Sequence, residues 1–349
     1  MIPVFDGHND TLQRLVAAGP DAARLWQQGD GAGHLDLPRA RAGGLVGGFF
    51  AIWIPSAPHS DDAAHMRQME NPPFSLPLPA EIAPEAALPH AFAQAAALHH
   101  LHRAGLLTIA RRAADLRDTI ASGGIAAVMH MEGAEAIRDD DALHLWHAMG
   151  LRSLGPVWSR PTRHGHGVPF AFPASPDLGG PLTPAGRALV AGCNRLGIML
   201  DLSHLNQAGF DDIARLSDAP LVASHSAAHA LCESSRNLTD RQLHQIADSG
   251  GLVGLNFASS FLRPDGRRLP LEDIGIMLRH LDHLLAILGE GGVAFGSDFD
   301  GALMPRDVPD AAALPRLIQA MRDHGYGDAL IRRIACENWL SVLERTWRD

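Results

Sequence analysis

Cysteine is scarce in this sequence: Cys193, Cys232 and Cys336 are the only three in 349 residues, and no two form a CxxC pair. So few, so far apart, they support neither a disulfide framework nor a thiolate metal site, and they read as core thiols in a reducing compartment. Positive charge is also in deficit. Twenty-nine Lys+Arg against 39 Asp+Glu leave a formal net charge of −10, the wrong sign for a surface that neutralises phosphates, which argues against nucleic acid as a partner. No apolar run reaches the ~18 residues that span a bilayer, and the opening MIPVFDGHNDTLQRL has no basic segment leading into an apolar one. No membrane partner is expected. Repeats of ~20–50 residues are not visible, and no GxGxxG opens a helix after the first strand-like run, which removes the usual reason to expect a dinucleotide fold.

What is present is a core-forming composition, 46% hydrophobic and 19% charged, with 20 histidines. Such a chain folds, and so many imidazoles make metal or acid–base chemistry worth seeking. Short apolar runs recur at residues 3–5, 45–54, 125–131, 151–157, 198–202, 221–223, 252–257 and 293–295. Each reads as a strand buried on both faces. Helical signals lie between them: Thr183-Pro184 as N-cap and first residue, Thr239-x-x-Gln242 as a capping box, and an apolar face predicting a helix over 271–288. About eight alternating units predict an α/β protein, a TIM-type (β/α)8 barrel forming a single domain over residues 1–349. The segment 55–89, with eight prolines, reads as a long loop after the second strand, covering one end of the barrel.

Potential ligands fall in one systematic place. His8 and Asp10, Glu132, His204, His225 and Asp298 each follow one of the apolar runs, and the C-terminal strand ends of a parallel barrel open onto one face. Three imidazoles with two or three carboxylates exceed the needs of one tetrahedral zinc that keeps an open position, so two divalent ions are the natural count. A carboxylate such as Glu132 can bridge paired ions, whose shared water ionises near neutral pH, which is hydrolase chemistry. Taken singly, a histidine at a strand end is usually just hydrogen-bonded, and Asp298 and Asp300 in GSDFDG suit an ordinary turn. His99, His100 and His102 read as packing or surface residues of a helix. His164 and His166, in a glycine-rich loop after the fourth strand, are candidates for substrate contact, with solvated loop positions as the plainer reading.

Several motifs together carry a family likeness: DGHNDTL from Asp6, HMEGAEA around Glu132, LDLSHLN around His204, ASHSAAHALCESSRN from His225 to Asn237, and GSDFDG around Asp298. With ENWLSVLE near the C-terminus they span the chain, which resembles the renal (membrane) dipeptidases, binuclear-zinc metallopeptidases among the amidohydrolase-like barrels. The resemblance implies His8 and Asp10 on one zinc, Glu132 bridging, and His204 and His225 on the other. It also implies Asp298 for proton transfer and Arg236 for the substrate carboxylate, a role that suits a guanidinium fork. Two positions depart from the pattern: Trp158 stands where active members carry a carbonyl-polarising histidine, and Ala258 replaces a tyrosine found in some. The secretory leader and lipid-anchor tail of the mammalian enzymes are missing, so a cytoplasmic, bacterial-type member is expected. The implied activity is hydrolysis of small dipeptides, including those with a C-terminal D-residue, by attack of a metal-bridging hydroxide. Hydrolysis of another small carboxylated amide, such as an N-acyl amino acid, is the alternative, and a metal-stabilised binding protein without turnover is a third. Self-association as a homo-oligomer is left open by the sequence.

Overall fold

Eight parallel strands form at the eight apolar runs, with ends shifted by a few residues. The computed structural model describes residues 1–56 and 62–347. Strands β1 (Val4–Asn9), β2 (Leu45–Trp53), β3 (Ala126–Glu132), β4 (Leu151–Gly155) and β5 (Met199–Leu200) pair in sequence order. A second run follows, β6 (Val222–Ser226), β7 (Leu252–Asn256) and β8 (Val293–Gly296). Single parallel bridges, Asp201 to Val222 and Asn9 to Phe299, join the two runs, so the order closes on itself as a barrel. Helices such as Asp140–Met149, Pro184–Leu196, Gln207–Leu216 and Gly275–Leu288 connect the strands, as parallel pairing requires.

Where backbone pairing thins to one bridge, a buried aspartate takes over. At the β8–β1 seam, Ser297 donates its N–H to Asp6 Oδ1 at 2.7 Å and its hydroxyl to Asp6 Oδ2 at 2.8 Å. At the β5–β6 seam, Asp201 accepts from the N–H of Ser203 and from both the N–H and the hydroxyl of Ser224, at 3.0, 2.7 and 2.5 Å. Both carboxyls are buried, and the donors offset part of the desolvation that burial imposes.

The barrel interior is plugged from below. Phe5, Phe49, Val128, Met199, Val222 and Leu252 pack with Trp339, from the helix Asn338–Thr346. The Trp339 indole N–H donates to the carbonyl of Phe295 at 2.8 Å. This explains the glycine of DGHND: a Cβ on Gly7 would stand 2.4 Å from the Trp339 ring and 2.5 Å from the Ser224 carbonyl, so no side chain fits. A second apolar layer, including Leu12, Trp26, Phe50, Met129 and Leu281, lies between strands and helices.

The caps form as the sequence indicates, with Thr183 accepting from the Gly186 N–H and Thr239 and Gln242 closing a reciprocal box. Three expectations shift. The helix expected over 271–288 begins only at Gly275, whose N–H is accepted by the Asp273 carboxylate, while the Leu271 N–H bonds the Ser259 hydroxyl. The proline-rich segment is not one irregular loop. It contains the helix Asp62–Gln68 and the short strand Phe74–Ser75, which pairs antiparallel with Ala171–Phe172, and its last six residues open the helix Pro84–Arg103. Pro84 takes the first helical position, where the missing N–H is harmless. Within this segment, residues 57–61 lie outside the described residues. The strand expected over 198–202 pairs as a ladder only at Met199–Leu200. All three cysteines are buried as free thiols, and no helix of the described residues is long and apolar enough to cross a membrane.

The Asp6 seam yields a signed prediction. Burial raises the Asp6 carboxyl to about 6 against the opposing pull of the Ser297 bonds and His8. A pKa higher in the fold than in the unfolded chain means that ionisation removes stability as pH rises through ~6. Ser297→Ala deletes a donor that favours the anion, so urea unfolding should show a loss of about 1–3 kcal/mol at pH 8 and a smaller one at pH 5. An equal loss at both pH values would contradict the role given to the seam.

Candidate active site

The C-terminal strand ends bring the six candidate residues into one cluster, five of them buried and Asp298 half-buried. Glu132, the last residue of β3, places Oε1 2.9 Å from His204 Nε2, 3.2 Å from His225 Nε2 and 3.6 Å from His8 Nε2. Asp10 Oδ2 is 3.5 Å from His8 Nε2. The ligand-type atoms fall into three compact groups, His8/Asp10/Glu132, Glu132/His204/His225 and His8/His225/Asp298, each spanning no more than 4.8 Å. The rings of His8 and His225 stack with centroids 3.8 Å apart.

Local backbone and hydrogen bonds aim these groups. His204 and Asp298 both adopt left-handed conformations, φ 67° and 63°, and so does Asp300. Such conformations are disfavoured outside glycine and tend to concentrate where geometry matters more than local stability. His204 Nδ1 is bonded to the Ser159 hydroxyl at 2.8 Å, and His225 Nδ1 to the Ser224 hydroxyl at 2.7 Å. With Nδ1 engaged, each ring turns Nε2 toward Glu132, the usual arrangement of a metal-ligating histidine. Asp298 is held by the Asn256 side-chain amide, which donates to Oδ2 at 3.0 Å.

Electrostatics show what the cluster needs. Burial, with Arg236 and His8 adding to it, holds the His204 and His225 rings well below the ordinary histidine value, so both are neutral. Burial also disfavours charge on His8, but Glu132, Asp10 and Asp298 outweigh it and raise His8 to about 10. Burial pushes Glu132 well above the usual carboxylate range, and the charges of Asp10 and Asp298 push the same way. Asp298 is raised by burial and Asp10, against His8, Asn256 and Arg236. Carboxylates crowded together in a dry space call for cations. His8 is fully buried with neither ring nitrogen hydrogen-bonded. Neutral imidazoles, clustered carboxylates and an orphaned buried ring fit divalent metal ions.

The remaining candidates separate. Trp158 lines a cavity of about 380 Å³ above the cluster, together with Asp10, Glu132, His204, Asp298 and Ala258. Its ring stands 5.1 Å from Trp53 and 5.9 Å from His204, centroid to centroid. Arg236 is only 3% exposed, donating Nη2 to the His225 carbonyl at 3.0 Å while Nε has no partner, and its guanidinium stacks 5.4 Å from the Phe261 ring. Phe261 itself lines the cavity. His164 and His166 do not join this wall. The His164 ring is buried with Nε2 3.0 Å from the Ile137 carbonyl, beside a separate small cavity, and His166 lies against Gly179 and Gly180. Sequence reasoning missed Ser159, Ser224 and Asn256, which orient the cluster. Asn256 ends β7, so the strand-end argument applied to every strand would have included it.

A buried imidazole–carboxylate cluster under an open cavity at the C-terminal mouth of a parallel barrel defines a metallohydrolase. A family model described as membrane dipeptidase (peptidase family M19) matches residues 1–348, and the chain belongs to that family. It is 59% identical to a metallopeptidase from Rhodobacter sphaeroides whose crystal structure holds a phosphinate mimic of the dipeptide L-Ala-D-Ala, with TM-score 0.96 and 99% of each chain covered. A crystal structure of dipeptidase AC, a metallopeptidase of the same family, is 58% identical, with TM-score 0.96 and the same coverage. Among curated proteins it is 27% identical to dipeptidase aclJ of Aspergillus oryzae over 98% of this chain and 78% of the other.

The hydroxyl clamps lead to a test. Ser159→Ala frees His204 Nδ1 and should lower metal affinity by about 10–100-fold, the usual effect of losing a ligand's supporting bond. Competition with a chromophoric chelator measures this, and unchanged affinity would show that the clamp does not orient a ligand.

Proposed function

We propose that this chain is a dipeptidase dependent on two divalent ions, zinc on the chemistry of the donors, with His8 and Asp10 on one side of Glu132 and His204 and His225 on the other. The observation that carries the reading is the position of Glu132 Oε1, within 3.6 Å of three imidazoles drawn from three different strand ends. Bound ions of this kind supply Lewis acidity toward a carbonyl and a water that ionises at neutral pH. The chain's own residues supply the rest. Asp298, half-buried, raised in pKa and pinned by Asn256, takes a proton from the nucleophile and returns it to the leaving amine. Arg236 reads the free carboxylate of the C-terminal residue, using the buried donor that has no partner in the protein. Trp53, Trp158 and Phe170 form an apolar wall that keeps water from the scissile bond. Because Trp158 offers only an indole N–H, a donor with no charged form, its part in polarising the carbonyl is minor. A C-terminal D-residue suits this site, a reading supported by the L-Ala-D-Ala mimic held by the similar Rhodobacter sphaeroides enzyme.

The test uses zinc-loaded protein with L-Ala-L-Ala, L-Ala-D-Ala and their C-terminal amides. Both free dipeptides should be cleaved, the amides poorly, and a chelator should abolish turnover. Asp298→Asn should retain its metal and lose about 10²–10⁴-fold in kcat. Full activity in metal-free protein, or loss of metal in proportion to activity in Asp298→Asn, would overturn these assignments.

A further inference from the structure

We propose that Arg268 makes this enzyme select dipeptides whose C-terminal residue carries an acidic side chain; the inference rests on the dipeptidase reading of the site. Arg268 lines the same cavity as Asp298, Glu132 and Trp158. Among the described residues its guanidinium has neither an ion pair nor a hydrogen bond, and only its backbone N–H is engaged, with the Met69 carbonyl at 2.9 Å. Arg267 beside it is also unpaired among the described residues but is exposed and outside the cavity lining, and three further arginines are committed. Arg263 is paired with Asp265 at 2.6 Å, Arg14 with Asp30 and Asp300 at 3.0 and 3.3 Å, and Arg160 with Glu135 at 2.7 Å.

The position of Arg268 is built, although its side chain is unbonded. Gly266, two residues earlier, has φ +63° and sits so close to the Phe172 ring that a Cβ there would approach it to 2.2 Å. Phe172 stacks on Phe74 within the short antiparallel pair. The turn that carries Arg268 is therefore welded to the strap that also brings Met66 and Met69 to the cavity. The same cavity is lined by the thioethers of Met66 and Met69 and the aromatic rings of Phe170 and Phe261, which hydrate a cation poorly. A guanidinium held half-buried without a partner is relieved by a planar anion that can accept two parallel bonds, and a carboxylate is that group.

The cavity's own carboxylates do not fill this role. Asp300 accepts from Thr11, His34 and Arg14, and Asp10, Glu132 and Asp298 gather around His8. The partner must arrive with the substrate. Arg236 follows β6 and Arg268 follows β7, neighbouring strands, and Phe261, which stacks on Arg236, lines the cavity with Arg268. With Arg236 on the α-carboxylate, Arg268 meets a second carboxylate on the same residue.

The experiment compares kcat/KM of the zinc-loaded enzyme for Ala-Asp against Ala-Asn and for Ala-Glu against Ala-Gln, each with the C-terminal residue in both configurations. The pairs are nearly isosteric, so the ratio isolates charge. Wild type should favour an acidic member by about 10-fold or more, and Arg268→Met should lower that ratio by about 10–100-fold, the worth of a charged hydrogen bond, chiefly through KM. Arg268→Lys should retain part of the ratio, because it keeps the charge and loses the fork. A wild-type ratio near one overturns the inference without any variant, as does a ratio unchanged in Arg268→Met; in either case cleavage of neutral dipeptides leaves the dipeptidase reading standing. Absence of turnover on every dipeptide would instead overturn that reading, and this inference with it.

Discussion

Mutual repulsion among Asp10, Glu132 and Asp298 is the constraint around which this structure is organised. Asp10 and Glu132 are buried at the barrel mouth with Asp298 half-buried beside them, and the charge of Asp10 strengthens the hold of Glu132 and Asp298 on their protons while His8 opposes it. A fold with no use for cations would not keep three carboxyls and three imidazoles within a few ångströms of one another. The protein side of the arrangement is neutral imidazole at His204 and His225, with hydroxyls behind those two rings to fix their direction, and negative charge where ions would sit.

Holding that cluster together demands a rigid barrel, and rigidity is supplied where the sheet is weakest. The ladder is reduced to one bridge at each of two seams, and at both a buried aspartate accepts from serines across the gap. The same serines lie next in sequence to the cluster: Ser224 clamps Asp201 and also bonds His225, and Ser297 precedes Asp298. Seam and site are thus one hydrogen-bonded unit. From below, Trp339 fills the space that Gly7 leaves open, so the C-terminal helix supports the strand that carries His8.

Much of this was legible because a parallel barrel imposes a simple rule. Short apolar runs mark the strands, and polar residues after five of them mark the mouth, so His8, Asp10, Glu132, His204, His225 and Asp298 group across nearly 300 positions of sequence. The rule fails away from strand ends. In RHGHG, His164 and His166 are candidates for substrate contact with solvation as the plainer reading, but the loop doubles back through the Thr162–Gly165 pair and buries His164 against Ile137. Nothing local announces that turn. The proline-rich segment hides its helices because proline at a first helical position and proline in a loop look alike in sequence. Arg268 was invisible for a related reason: its place in the cavity follows from the contact of Gly266 with Phe172, nearly 100 residues away.

The central claim is that the cluster is a two-ion site with Glu132 between the ions. Anomalous scattering from crystals of the zinc-loaded protein, recorded on both sides of the zinc edge, tests it most directly. The account predicts two peaks, one beside His8 and Asp10 and one beside His204 and His225, with a Glu132 carboxylate oxygen toward each. A single peak, or peaks away from Glu132, would contradict it.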